Sequence, residues 1–179
     1  MNRWIVCLFL LPLALTACSS TEDAKPKRLC PQTAFVRELE RVNDYGADMP
    51  DEKTLVAAAK MKSVDGTCDY RDEGVDVNFT LKIIAGKKER LGGDKIGFPF
   101  FVSIIDPEGK ILSKELMTAD FEFSGDKKTA ERTEILHVFI PMAKDADGTN
   151  YQVLMGFQLT EEQLNAVRKA DEEKGAAKP

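Results

Sequence analysis

Histidine and cysteine are scarce in this chain of 179 residues, and both shortages restrict its chemistry. The sequence has one His and four Cys. His137 falls within a predicted strand, and the sequence has no Gly-x-Ser-x-Gly turn to supply a nucleophile. The parts of a nucleophilic triad are therefore missing. Closely spaced Cys and His ligands for a metal are missing as well. We therefore interpret His137 as structural and predict no catalytic residue, no metal and no cofactor.

Basic charge is also in short supply. Lys and Arg number 25 against 30 Asp and Glu, which gives a formal net charge of -5. A mildly acidic domain is repelled by a polyphosphate, and no basic stripe interleaved with aromatic residues offsets that repulsion. We predict no nucleic-acid partner. Adhesion to anionic lipid through charge is disfavoured for the same reason.

The N-terminus has the layout of a secretory signal peptide. Arg3 precedes an apolar run from Trp4 to Leu15, and small residues follow. A buried helix would also be apolar, but the terminal position and the preceding charge favour processing. Leu15–Cys18 resembles the lipobox of bacterial lipoproteins, whose cysteine becomes the acylated first residue. We predict a signal peptide over residues 1–17 and lipidation of Cys18.

Processing would leave one domain on a short tether. The remaining 162 residues suffice for a single core. Several acyl chains on Cys18 exceed the one chain that gives only marginal membrane binding. Residues 18–29 are polar and aperiodic, so we predict a flexible tether with a reach of about 18 Å. Ser19, not Asp, follows the cysteine, and the resemblance to lipoprotein sorting signals implies the outer membrane, facing the periplasm.

Two cysteines remain once the signal peptide and the lipid are accounted for. Cys7 leaves with the signal peptide, while Cys30 and Cys68 stay in a compartment that favours oxidation. We predict a disulfide between Cys30 and Cys68. Two free buried thiols are the alternative.

Alternating apolar and polar residues indicate β-structure through most of the mature chain. The clearest strand is Val75–Ile83, whose alternation is typical of an antiparallel sheet with one face in water. Asp65-Gly66 predicts a hairpin turn after a strand over 55–64. Residues 31–46 fit either a helix or two short strands, and we favour the strands.

Four further strands and their connections complete the β pattern. A strand over 98–105 ends in the turn Asp106–Gly109, and the returning strand has a break in alternation that predicts a bulge near Ser113–Glu115. Strands over 132–140 and 151–159 follow. Residues 145–150 include acidic side chains, but two of the positions that supply ligands in a calcium loop lack a carboxylate. We therefore predict a hairpin turn there.

One helix closes the domain. Thr160 and Gln163 form a capping-box pair, and Arg168 and Lys169 suit the helix end. About seven strands and this helix predict an all-β fold, an antiparallel β-sandwich of immunoglobulin-like kind over residues 30–170. A small closed barrel is the alternative. We predict a disordered tail over residues 171–179.

A basic segment interrupts the strands. Residues 86–97 hold Lys87, Lys88, Arg90 and four glycines, which predicts a long mobile loop. A solvated linker is the plain interpretation of such a run. The functional interpretation is a loop that contacts an acidic partner.

The C-terminal region carries a family resemblance. Gly156-Phe157-Gln158-Leu159-Thr160 with Gln163-Leu164 and Arg168 resembles a signature of uncharacterised proteobacterial lipoproteins. Glu161 and Val167 stand where that family often has Pro and Asn. The resemblance implies a place in the cell envelope, a small β-rich domain and a cysteine pair, but no reaction.

Three functions are compatible with these features. The first is a lipid-anchored interaction or scaffolding module that is not an enzyme and binds an envelope protein in the periplasm. The second is a carrier of a small apolar ligand between the sheets. The third is an envelope hydrolase that uses paired carboxylates. We favour the first, because no catalytic set is visible in the sequence.

Overall fold

A computed structural model describes residues 28–47 and 50–176, without the side chains of Glu52 and of residues 174–176. The predicted signal peptide, Cys18 and most of the tether lie outside the described residues. Within them, eight strands form two four-stranded sheets, and no helix is both long and apolar enough to span a membrane.

The chain crosses between the two sheets four times. The first sheet has the order β1-β8-β5-β6 and the second the order β2-β3-β4-β7. Every neighbouring pair is antiparallel except β1 and β8, which run parallel. The strands are β1 Gln32–Phe35, β2 Arg41–Asp44, β3 Ala57–Arg71, β4 Gly74–Lys87, β5 Lys95–Ile105, β6 Ile111–Glu122, β7 Thr129–Pro141 and β8 Gln152–Phe157. The predicted β-sandwich is confirmed, with eight strands instead of about seven.

The core lies between the two sheets. The predicted alternation on β4 is confirmed, since its odd-numbered residues from Val75 to Ile83 are buried. Phe100 and Phe157 of the first sheet and Phe123 beyond β6 are also fully buried. The interior is therefore filled by apolar side chains from the inner faces of both sheets.

The hairpin predicted at Asp65-Gly66 is wrong. β3 continues through both residues, and Gly66 pairs with Phe79 in the ladder to β4. The chain turns later, at Asp72-Glu73. A long neighbouring strand offers β3 a pairing partner along its whole length, and this tertiary pairing overrides the local turn signal.

The turn at Asp106–Gly109 is confirmed, with Gly109 at a φ of 83° and its N–H donating to the Asp106 carbonyl at 3.0 Å. The bulge on β6 lies at Leu112, because Ile104 pairs with Ser113 and Ile105 with Ile111. It is thus one residue before the predicted segment, close to the turn.

The hairpin predicted over 145–150 is wrong, because β7 and β8 belong to different sheets. The connection crosses between the sheets and contains a short 3-10 helix, Gly148–Asn150. Asp147 caps it by accepting hydrogen bonds from the Thr149 hydroxyl at 2.7 Å and the Thr149 N–H at 3.0 Å. The two bonds, the hydroxyl one first, hold the pKa of Asp147 below its usual value.

The C-terminal helix, α1, spans Glu161–Ala176. Its predicted capping box is present: the Thr160 N–H donates to Gln163 Oε1 at 2.9 Å, and the Gln163 N–H donates to the Thr160 hydroxyl at 3.2 Å. The helix extends past the predicted end, so residues 171–176 of the expected tail are helical. Asp171 forms an ion pair with Arg41 of β2, which fastens this additional turn to the sandwich.

Helix α1 covers one open side of the sandwich. Arg168 pairs with Glu38 at 3.1 Å, the Gln163 side-chain amide donates to the Asn43 carbonyl at 3.1 Å, and Val167 is buried. These contacts hold the helix against β2 and the 3-10 turn before it. The opposite side of the sandwich is formed by the edge strands β6 and β7.

The two ends of the sandwich differ in what they carry. At one end, here called the tether end, lie residues 28–31, the β3–β4 turn and the connection from β7 to β8. The other end, here called the distal end, carries the loops 88–94 and 123–128 and the chain before β3. The strand pairing places these three segments at the same end. The start of the described chain and the basic loop therefore lie at opposite ends.

Candidate functional site

A row of short side chains crosses the outer face of the second sheet near its distal end. Its members are cross-strand neighbours on β2, β3, β4 and β7: Asn43, Ala58, Gly86 and Thr129. Ala58 and Gly86 add almost nothing above the backbone, so the twisted sheet has a hollow there. The hollow has a volume of about 920 Å³ and adjoins a second of about 660 Å³.

These two hollows share Ala58, Gly86 and Thr129 and together form what we call the distal concavity. Its floor includes the apolar side chain of Ile84 beside the small residues. Its charged lining consists of Arg41, Lys53, Lys60, Lys87, Lys88, Arg90, Lys127 and Lys128 on the positive side and Glu89 and Glu131 on the negative side.

The lining is strongly cationic although the chain as a whole is acidic. Eight basic side chains face two carboxylates, while the full sequence has a net charge of -5. A concave surface lined by one sign of charge concentrates the potential and attracts ligands of the opposite sign. The distal concavity is therefore suited to an acidic partner.

Some of these cations are already neutralised. Lys128 pairs with Glu89 at 3.1 Å and Lys60 with Glu40 at 3.7 Å, and Arg41 pairs with Asp171 as described above. Lys53, Lys88 and Lys127 are exposed, and within the described ranges no carboxylate forms an ion pair with any of the three. These three lysines provide the uncompensated charge.

The predicted partner-binding loop contributes one wall of the distal concavity. The structure brings Lys87, Lys88 and Arg90 together there. Lys87 has a different role from the other two, because its side chain is only 16% exposed and pairs with Asp94 across the loop. Its ammonium nitrogen also lies 5.4 Å from the centre of the Phe123 ring. Lys87 therefore anchors the loop.

The loop itself is shorter than predicted. β4 continues to Lys87 and β5 starts at Lys95, so only residues 88–94 are outside the sheets. The Lys88 N–H donates to the Val56 carbonyl at 2.8 Å, and the Phe123 N–H donates to the Asp94 carbonyl at 2.7 Å. Backbone bonds at both ends thus fix where the loop leaves and rejoins the sandwich.

Sequence reasoning missed the other cations of this site. Lys53 precedes β3, and Lys127 and Lys128 follow β6, so they are far from the 88–94 loop in sequence. The Lys127-Lys128 dipeptide is visible in the sequence as a basic pair. Only the pairing of β7 with β4 shows that it lies beside Gly86. Ala58 and Gly86, the small residues that create the hollow, form no sequence pattern that would predict it.

The predicted disulfide is confirmed. Cys30 and Cys68 are bonded, with their Cα atoms 5.6 Å apart. The bond attaches the start of the domain to β3 at the tether end. The Arg28 guanidinium lies 3.8 Å from the centre of the Tyr70 ring and packs against this attachment. The predicted lipidation site, Cys18, lies outside the described residues.

His137 belongs to a small ionic cluster on the outer face of the second sheet. Its Nε2 lies 2.7 Å from Asp76 Oδ1, and Arg71 forms an ion pair with Oδ2 of the same carboxylate. Asp76 is only 5% exposed, although the alternation of β4 placed it on the solvent face. Phe139, its register neighbour on β7, packs over Gly74, where a Cβ atom would lie 2.7 Å from the ring.

Within the described part of the chain, no group of three or more His, Cys, Asp or Glu side chains is arranged to hold a metal ion. Comparison with known proteins finds no match to a family model, to a curated protein or to a solved structure. The resemblance to proteobacterial lipoproteins stays a prediction. The geometry of the distal concavity is thus the basis for a functional proposal.

Proposed function

We propose that this protein is a lipid-anchored interaction module of the cell envelope that binds an acidic protein partner in its distal concavity. The anchor is Cys18, and the membrane is the outer membrane at its periplasmic face. The module is not an enzyme. The observation that supports this proposal most is the uncompensated charge of three exposed lysines, Lys53, Lys88 and Lys127, in the lining of a concave surface on an acidic chain.

The position of the concavity supports an anchored role. The disulfide and the start of the domain lie at the tether end, so a lipid on Cys18 restrains that end. The distal concavity lies at the far end of β4, near Gly86. The predicted tether, with a reach of about 18 Å, would hold the domain close to the membrane.

The two alternative functions have less structural support. A ligand carrier needs space between the sheets, but the inner faces are filled by buried side chains such as Phe100, Phe123 and Phe157. A hydrolase needs two available carboxylates, and Asp69 and Asp76 are cross-strand neighbours. The Asp76 carboxylate, however, is engaged by His137 and Arg71.

The test is reversal of the uncompensated charge in the full-length lipoprotein. The variant carries Lys53→Glu, Lys88→Glu and Lys127→Glu, which avoids the loop anchor Lys87. A matched control carries Lys62→Glu, Lys110→Glu and Lys169→Glu, three exposed lysines outside the distal concavity. Both variants have the same net charge, so any difference between them reports the position of the charge.

Partner capture is measured by chemical crosslinking in living cells followed by mass spectrometry. We expect the concavity variant to lose its partner by about tenfold or more, because complementary charge mainly accelerates association. The control is expected to retain capture. Equal capture by the two variants would refute the distal concavity as the binding site.

A further inference from the structure

Strand β7 is an edge of the second sheet and has an unpaired side. Within the described residues it pairs with β4 alone. Near its start it is close to β6, the edge of the first sheet, and Arg132 Nη1 donates to the Asp120 carbonyl at 3.2 Å. Toward the tether end the two edges separate, and a groove of about 330 Å³ opens between Glu115 on one side and His137 on the other.

The free half of β7 lacks the features that usually protect an edge strand. Monomeric proteins place charges, proline or bulges on such edges to prevent pairing with another chain. Arg132 and Glu134 supply charge to the first half of β7. The stretch Ile135–Phe139 has no Lys, Arg, Asp, Glu or Pro. Ile135 is 84% exposed and Phe139 is 40% exposed.

This stretch is also complementary to itself. In an antiparallel pair of two β7 strands centred on His137, Ile135 of each copy lies opposite Phe139 of the other on the outer face. Leu136 lies opposite Val138 on the inner face. All four apolar residues therefore meet apolar partners. Aromatic and β-branched cross-strand pairs of this kind stabilise a sheet.

Other registers fit less well. A pair centred on residue 136 would place Thr133 opposite Phe139 and Ile135 opposite His137. A pair centred on Ile135 would extend to residue 131 and would compete with the contact between Arg132 and β6. The register centred on His137 uses only residues 133–141. It ends at Pro141, which has no N–H to donate.

We infer that a second copy of this chain pairs with the free edge of β7, antiparallel and centred on His137. The two second sheets then form one continuous eight-stranded sheet through a two-fold axis. The distal concavity lies at the Thr129 end of β7, outside the overlap, so each copy keeps its own binding surface. The inference stands independently of the proposed function.

Cysteine crosslinking in cells tests this pairing on the full-length lipoprotein. Residues directly opposite each other in an antiparallel pair have Cα atoms about 4.5–5.5 Å apart, within the range of a disulfide. His137→Cys is opposite itself in the proposed register and should give a covalent dimer on a non-reducing gel. Thr133→Cys, on the same face of β7, lies opposite Pro141 and should stay monomeric.

A second pair of variants leaves the bond between His137 and Asp76 intact. Ile135→Cys and Phe139→Cys should each stay monomeric alone and should form a disulfide-linked dimer when they are co-expressed. Absence of this mixed dimer, or a Thr133→Cys dimer as strong as the His137→Cys dimer, would overturn the pairing. A crosslink from residue 137 to a different protein would also overturn it and would assign the edge to a foreign strand.

Discussion

The hydroxyl group of Tyr70 donates a hydrogen bond of 2.6 Å to the carbonyl oxygen of Leu29. Tyr70 lies two residues after Cys68 on β3, and Leu29 directly precedes Cys30. A covalent bond and a hydrogen bond thus join the same two segments. Together they fix the point at which the predicted tether enters the sandwich.

Gly148 makes room for this tyrosine, which leads to the first prediction. A Cβ atom at residue 148 would lie 2.2 Å from the Tyr70 hydroxyl oxygen, so Gly148→Ala must displace the ring and weaken its bond to Leu29. We expect a loss of about 1–3 kcal/mol in the free energy of unfolding. Urea denaturation measures it.

Gly92→Ala is the matched control for Gly148→Ala, because nothing lies within 4 Å of a Cβ atom there. It should leave the free energy of unfolding unchanged or raise it by up to about 1 kcal/mol. If the two alanine variants are equally stable, Tyr70 does not depend on the space at Gly148.

The second prediction concerns the disulfide. Cys30 and Cys68 are separated by 38 residues, and closing a loop of that size restricts the unfolded chain. Replacing both with Ser should lower the free energy of unfolding by about 4 kcal/mol. The midpoint of urea denaturation under non-reducing conditions measures this loss. An unchanged midpoint would show that the disulfide contributes no stability.

The third prediction concerns the buried carboxylate of Asp76. His137→Ala alone leaves Arg71 as a partner, so we expect a small change in stability and normal partner capture. Changing both Arg71 and His137 to Ala leaves a buried charge unpaired, which costs about 3–5 kcal/mol. Adding Asp76→Asn to that double variant should restore part of the loss.

Thermal melting of these Asp76 variants gives the comparison. If the double variant loses no more stability than the two single changes predict, the carboxylate is hydrated and the cluster is not a structural unit. If His137→Ala abolishes function in a protein that still folds, the enzyme alternative regains support.

The fourth prediction concerns pH. The Thr149 hydrogen bonds lower the pKa of Asp147, so its carboxylate contributes stability above the ordinary aspartate pKa. That contribution is lost as the pH falls through the lowered value of the folded state. Thr149→Val removes the hydroxyl donor and should raise the pKa of Asp147 toward the ordinary value. Carbon-detected NMR titration of the side chain measures the shift, and an unchanged pKa would contradict the assignment.

Much of the fold could be predicted from local sequence patterns. Alternation identified β4 and the core residues from Val75 to Ile83, and the polar residues at 160 and 163 identified the start of α1. These features depend on residues close in sequence. The same holds for the turn after Ile105, where Asp106 and Gly109 have their expected roles.

The errors occurred where distant residues decide the structure. Asp65-Gly66 has a strong turn preference, but pairing with β4 extends β3 through it. The burial of Asp76 depends on Phe139 and on the side chains of Arg71 and His137, which come from two other strands. The distal concavity has the same origin, since its three uncompensated lysines come from three separate connections. No local pattern contains that information.

The central claim is that a lipidated protein binds an acidic partner in the distal concavity. Photocrosslinking in living cells tests it, with a photo-reactive residue at Thr129 in the row of short side chains and, as a control, at exposed Thr118 on the first sheet. Cys18→Ser should abolish membrane fractionation of the protein. In the lipidated protein, Thr129 should give a light-dependent adduct with an acidic protein, and Lys53→Glu, Lys88→Glu and Lys127→Glu should remove it. An adduct at Thr118 but none at Thr129, or one at Thr129 that persists after charge reversal, would contradict the account.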